Sequence, residues 1–152
     1  KVEADMIEQT LNFADLQVKD VMRPVKELIT LDAGKPLDHN INLMITHRYS
    51  RYPVYKSSVN NVLGVVHSKD YLIALNSKDP IPALTDTMHA PIKIEPTDSA
   101  LVLLQSFKKG TTHLALVYSK KKLVGFLTLD NLLQVILGHI KDEFHLTSKQ
   151  GS

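Results

Sequence analysis

Hydrophobic positions along the chain follow two periods, and their order runs through twice. From Ala4 to Phe13, the residues Met6, Ile7, Thr10, Leu11 and Phe13 recur on one side at helical spacing, which predicts a short amphipathic helix. Asp20-Val21-Met22-Arg23-Pro24 breaks regular structure, because Pro24 lacks an N–H and disfavours helix at Arg23. Leu28-Ile29-Thr30-Leu31 predicts a brief strand, closed by Asp32-Ala33-Gly34. Leu37 to His47 carries Leu37, Ile41, Leu43, Met44 and Ile45 near the helical period, with Asp38 where the helix dipole favours an anion. Pro53-Val54-Tyr55 and Val62 to Val66 predict two strands, joined by a turn over Ser57-Ser58-Val59-Asn60-Asn61. Ser68 or Asp70 is the expected cap of a helix from Tyr71 to Asn76.

The second pass keeps the order β, α, β, β, α. Its elements are Ile92-Lys93-Ile94, Asp98 to Lys109, Leu114 to Tyr118, Leu123 to Leu127, and Asn131 to Ile140. The last of these is apolar on a wide arc (Leu132, Leu133, Val135, Ile136, Leu137, Ile140), as expected of a helix that packs on the module or on a partner subunit. Short landmarks recur with the elements. Asp20-Val21-Met22 returns as Asp86-Thr87-Met88, Tyr52-Pro53-Val54-Tyr55 as Ala115-Leu116-Val117-Tyr118, and the strand led by Gly64 as the strand led by Gly125.

Each copy is too short to bury a good core alone, so the repeat implies a pair related by a pseudo-twofold axis, with clefts between the halves. The expected organisation is a lead-in with its helix over 1–17, a first repeat over 18–76 and a linker over 77–83. A second repeat over 84–140 and a tail over 141–152 follow. The fold class is α+β.

Composition narrows the function. The 152 residues are 43% hydrophobic, ordinary for a globular chain, and carry a net charge of +2, which gives no electrostatic case for nucleic acid. Cysteine is absent, so disulfides, thiolate metal sites and a cysteine nucleophile are excluded. No apolar run approaches the roughly 20 residues needed to span a bilayer. The chain has no initiating Met and begins within a helical pattern, and the expectation is a piece of a longer polypeptide with a frayed Gln150-Gly151-Ser152 end. No Walker-type loop, Ser-His-Asp set or paired carboxylates stand in a catalytic context, which points to a non-enzyme.

The chemistry lies where each Gly-led strand meets the next helix. Backbone amides at a helix start, with a Ser or Thr hydroxyl beside them, suit a phosphate. A carboxylate a little further on can accept from the two hydroxyls of a ribose, and glycine permits close approach of the backbone. The same residues also serve as ordinary helix caps.

With a variant of Gly-x-x-Thr/Ser-x-x-Asp ending each copy, the double β-α-β-β-α pattern resembles a tandem pair of CBS domains, the Bateman module. More narrowly, Asp5-Met6-Ile7, Val18-Lys19-Asp20-Val21-Met22-Arg23-Pro24, Ser50-Arg51-Tyr52-Pro53-Val54 and Val135 to Phe144 are similar to the CorC/HlyC group of magnesium and cobalt efflux or hemolysin-like proteins. The resemblance implies that an adenosine nucleotide (AMP, ADP or ATP, alone or with Mg) binds in the cleft. The motif Asp would hold ribose and the motif hydroxyl would face phosphate. It also implies a homodimer, membrane and C-terminal domains in the parent protein, and a location on the cytoplasmic side of the inner membrane.

Carried over by position, the first site comprises Gly64, His67, Ser68 and Asp70, with His67 in the hydroxyl position and Ser68 one residue late. Val21, Met22, Ile29, Tyr52 and Pro53 are expected to line its base pocket. The second comprises Gly125, Thr128, Asp130 and Asn131, with Asn131 in the carboxylate position; Met88, Ile92 and Ala115 are its base-pocket counterparts. An amide in place of a carboxylate loses about 1.5–3 kcal/mol, roughly tenfold to more than a hundredfold in affinity, so the first site is expected to be the better one.

Other readings stay open. Arg51 is either a phosphate contact or a solvated strand-edge residue, and Tyr52 either stacks on a purine or fills the core. The Lys120-Lys121-Lys122 tip reads as a solvated turn or a basic patch. None of the seven histidines shows the i, i+4 pairing of a zinc site. A ligand-free dimerisation scaffold, and a divalent-metal sensor acting through acidic residues, are the alternatives to a nucleotide-binding regulator.

Overall fold

The structure, a computed structural model, describes residues 14–77, 80–110 and 112–150, with side chains up to residue 140 apart from His139. The helix expected over Ala4 to Phe13 lies outside the described residues. The described elements run α1 (Val18–Val21), β1 (Arg23–Pro24), a 3-10 turn (Val25–Glu27), β2 (Leu31–Asp32), α2 (Leu37–His47), β3 (Arg51–Lys56), β4 (Ser58–His67) and α3 (Ser68–Ser77). A second 3-10 turn (Leu84–Asp86) precedes β5 (Ile92–Ile94), α4 (Ala100–Lys109), β6 (Leu114–Ser119), β7 (Lys122–Thr128) and α5 (Leu129–Gln150).

The α+β double repeat expected from the sequence is present. In each half a strand pairs in parallel with the first arm of an antiparallel hairpin: β2 with β3 and then β4, and β5 with β6 and then β7. Each half has its own core. Leu31, Met44, Tyr52, Val54, Val66, Tyr71 and Leu84 fill the first. Val18, Ala100, Leu103, Phe107, Ala115, Val117, Leu127 and Leu132 fill the second. A third cluster joins Val62 and Val65 to Leu114, Leu116, Leu123 and Phe126 and forms the seam between the hairpins.

The halves exchange their lead-ins. β1, which precedes the first repeat, pairs with β7 of the second, Arg23 opposite Phe126 and Pro24 opposite Gly125. In return His89, which precedes β5, bridges Val65 on β4. Val18 is buried in the second core, and its N–H donates to Asp98 C=O at 2.8 Å. The recurring Asp-x-Met explains the geometry of delivery. Asp20 accepts from Gln17 N–H at 3.1 Å and Asp86 from Ala83 N–H at 2.9 Å, each fixing the turn that presents its Met to the opposite half.

Several local expectations need correction. Leu28 to Thr30 is not strand; only Leu31–Asp32 pairs, because Leu28 caps the 3-10 turn and its N–H donates to Val25 C=O. The turn expected over Ser57 to Asn61 shrinks to Ser57, at φ 71°, and the remainder joins β4, where Asn60 and Asn61 bind neighbouring chain through their side chains. Neither Ser68 nor Asp70 caps α3. The Ser68 hydroxyl donates instead to the carbonyls of Tyr49 (2.9 Å) and Ser50 (3.3 Å), and the helix begins at Ser68 itself. In α4 the cap is Ser99, whose hydroxyl accepts from Val102 N–H at 3.3 Å. α5 runs on to Gln150 rather than ending at Ile140, with no proline to stop it.

Candidate functional site

Part of the expected set lies near the point where the lead-ins cross, and part lies elsewhere. Arg51 and His67 face each other in the β3–β4 register, and Asp70 lies in the first turn of α3. Val65, two residues before His67, exchanges two backbone hydrogen bonds of 2.9 Å with His89. Arg51, Val65, His67 and Asp70 of the first half line a cavity of about 290 Å³ together with His89 and Thr112 of the second. This is near the lower end of the roughly 300–1,000 Å³ usual for ligand pockets.

The lining is chemically suited to a polyanion with a sugar. Arg51 offers a planar fork of donors, His67 and His89 offer ring nitrogens, Thr112 a hydroxyl, and Asp70 an exposed carboxylate acceptor. The His67 Nδ1 atom is buried and has no hydrogen-bond partner among the described residues.

The glycines act through space rather than through unusual torsions. A Cβ on Gly64 would stand 2.9 Å from Met88 Cβ and 3.0 Å from His89 C=O. A Cβ on Gly125 would stand 2.6 Å from Arg23 C=O and 2.8 Å from Met22 Sδ. Met22 therefore lies with Gly125 and Met88 with Gly64, the reverse of the grouping expected from each repeat taken alone. Val21 and Met22 pack on the second core, and Ile29 on the first.

Tyr52 is fully buried in the first core, where its hydroxyl accepts from Tyr49 N–H at 2.8 Å, and burial raises its pKa. Pro53 is buried beside it on β3. Ala115 is fully buried in the second core, with Ile92 as its strand partner.

The corresponding cleft of the second half is built differently. By strand register Leu114 stands where the first half has Arg51, and Thr128 where it has His67; by the crossing β-bridge Phe126 stands where it has Val65. Leu114 and Phe126 are both buried. Thr128 Oγ1 accepts from Asn131 N–H at 3.1 Å, an ordinary N-cap, and Asp130 is exposed. Arg23 is paired with Glu27 at 2.9 Å. A second cavity, of about 320 Å³, lies on α4 along Ile94, Asp98, Ser99, Val102, Leu103 and Ser106 and holds none of the expected residues. Among the described residues no group of three acidic or imidazole side chains is placed to hold a metal ion.

His89 and Thr112 were not candidates from the sequence. The signal for His89 was present: it follows Met88 as Arg23 follows Met22. What the repeat does not tell is that each such pair serves the other half.

The CBS domain family model matches residues 18–77 and 84–138. The chain belongs to the CBS domain family. Its two matches are the tandem pair, and its relatives carry the narrower resemblance as well. It is 27% identical over 141 residues to the magnesium and cobalt efflux protein CorC of Salmonella typhimurium, covering 92% of this chain and 48% of that protein. A putative chloroplastic DUF21 domain-containing protein of Arabidopsis thaliana is 32% identical over 146 residues, 93% of this chain and 22% of that one. The chain thus spans about half, or less, of these relatives' length. Among solved structures, the CBS domain of a bacterial CNNM/CorC family Mg²⁺ transporter in complex with ATP superposes with a TM-score of 0.78 at 28% identity, covering 91% of this chain and 99% of that one. No described helix is long and apolar enough to cross a membrane.

Proposed function

We propose that this CBS pair is a regulatory module that binds one adenosine nucleotide, in the cleft between its halves, within a larger CorC-type protein concerned with divalent cation efflux. The observation that carries the reading is the cavity shared by Arg51, His67 and Asp70 of one half and His89 and Thr112 of the other. In it Asp70 accepts from the ribose hydroxyls, while Arg51, His67 and His89 face the phosphates and Val65 lies against the less polar part of the ligand. The ATP complex of the related CBS domain supports the ligand class.

Regulation follows from the exchange of lead-ins. A ligand that touches both halves favours the arrangement in which Val65 and His89 are joined, and biases any domain attached to either end by its differential affinity for two states. The module acts by binding, with Mg²⁺ entering as a companion of the phosphates and the cytoplasmic face of a membrane as its setting.

Thermal unfolding with AMP, ADP and ATP, each with and without Mg²⁺, tests this. Ligand at about a hundred times its dissociation constant adds roughly 2.7 kcal/mol of stability. A shift with an adenine nucleotide that is lost in Asp70→Ala supports the site. No shift with any of them leaves a dimerisation scaffold as the better account.

A further inference from the structure

A second charged region lies at the opposite end of the strands. β3 runs from Arg51 at the cleft to Lys56 at its hairpin tip, and β4 returns from Ser58 to His67. A strand of this length places the tip roughly 17–20 Å from the cleft. The second hairpin ends beside the first. Asn60 Oδ1 accepts from Leu123 N–H at 2.9 Å and ties the two hairpins together, while Asn61 Nδ2 donates to Lys56 C=O at 3.2 Å and closes the first tip on itself. Lys56 and the consecutive Lys120, Lys121 and Lys122 are all exposed there. Two carboxylates lie near by register: Asp32, whose Oδ1 accepts from Gly34 N–H, and Glu95, one step beyond the Ile94–Val117 pair.

The tip carries its lysines at a cost. Lys120 and Lys121 both have positive φ, 51° and 65°, a geometry that favours Asn-Gly and disfavours long side chains. Folding alone gives no reason for two lysines there. The chemistry of the patch selects among anionic partners. Neither of the two cavities described above is lined by these lysines, and their charges are ammoniums on flexible stems rather than the planar forks that grip a single phosphate. Val59, 40% exposed at the start of β4, adds an apolar side chain near the same tip. Diffuse charge beside a small apolar contact fits a plane of many phosphates.

We infer that the paired hairpin tips are a docking surface for an anionic lipid bilayer. Each lysine near such a surface strengthens binding by about 1 kcal/mol, or roughly fivefold.

The experiment is co-sedimentation of the 152-residue chain with phosphatidylcholine vesicles, with and without phosphatidylglycerol, at low and high salt. Binding that requires phosphatidylglycerol, fades with salt and falls more than about a hundredfold in K120E/K121E/K122E is expected. A second variant, K120N/K121G, removes two charges while giving the turn its preferred residues, so it melts no lower than the parent and binds about 25-fold more weakly. Nucleotide-dependent stabilisation is unchanged in both, which separates this surface from the cleft. Equal binding to neutral vesicles, or binding indifferent to the variants, overturns the inference. So does lysine-dependent binding to polyglutamate or duplex DNA without binding to vesicles.

Discussion

Val65 and His89 are joined by two backbone hydrogen bonds of 2.9 Å, and this pair closes the second half over the cleft of the first. Its counterpart across the pseudo-twofold axis is Arg23 on Phe126. Beside each pair a glycine makes room for a methionine, Gly64 for Met88 and Gly125 for Met22.

Alanine at these glycines should therefore pry the halves apart. Overpacking of this kind costs about 1–3 kcal/mol. Gly125→Ala should be the worse of the two, because its new Cβ meets backbone closer, Arg23 C=O at 2.6 Å against His89 C=O at 3.0 Å for Gly64. Gly138→Ala is the control. It lies in α5 with nothing within 4 Å of the added methyl, and should gain about 0.5–1 kcal/mol from helix propensity. Urea unfolding of the three variants checks the order.

The exchange also marks the limit of what the sequence discloses. The helix over Leu37–His47 and the strand over Ile92–Ile94 appear within their expected bounds, the first from several apolar residues at the helical period and the second from the alternation Ile-Lys-Ile. Arg23–Pro24 and His89 are different. A strand of one or two residues has no period, and nothing local says which sheet it joins. Met22 and Met88 were for that reason grouped with their own repeats, and His89 and Thr112 passed unnoticed. That His67 and Asp70 would line one cavity could be read ahead, because a motif of fixed spacing carries them on one continuous strand and helix.

Asn40 is a buried polar side chain with a structural task. It donates to Asp32 C=O at 3.0 Å and accepts from Asp32 N–H at 3.2 Å, holding the short strand β2 against α2. Asn40→Ala leaves both backbone groups of Asp32 without these partners. The expected loss is about 1–3 kcal/mol, read as a lower urea midpoint with little change in slope. Asn40→Asp should restore only the accepting half of the pair.

Alkaline pH should unfold the chain before ordinary surface titration explains it. Burial raises the pKa of Tyr52, Tyr71 and Tyr118 above the usual value near 10. Near that pH the unfolded tyrosines release protons while the folded ones hold them. Stability is thus complete below about pH 10 and declines as pH rises toward the folded values. Tyr118→Phe removes one of the contributors and should move the alkaline limb of a stability–pH curve upward. An unmoved limb would mean that Tyr118 ionises alike in both states.

The two clefts should respond differently to repair and damage. Asp70→Ala in the proposed site should weaken adenine nucleotide binding by roughly tenfold to more than a hundredfold, with little change in the melting temperature of the free chain, since Asp70 is exposed. The reverse change at the second cleft, Asn131→Asp, supplies the carboxylate its motif lacks. It should not create a site. Leu114 stands where Arg51 would be needed, and the bulkier, buried Phe126 occupies the place of Val65. Calorimetry then reads one nucleotide per chain for the parent and for Asn131→Asp, and much weaker binding for Asp70→Ala. Two nucleotides per chain in Asn131→Asp would show that a missing carboxylate alone had kept the second cleft empty, and that the bulk of Phe126 was no obstacle.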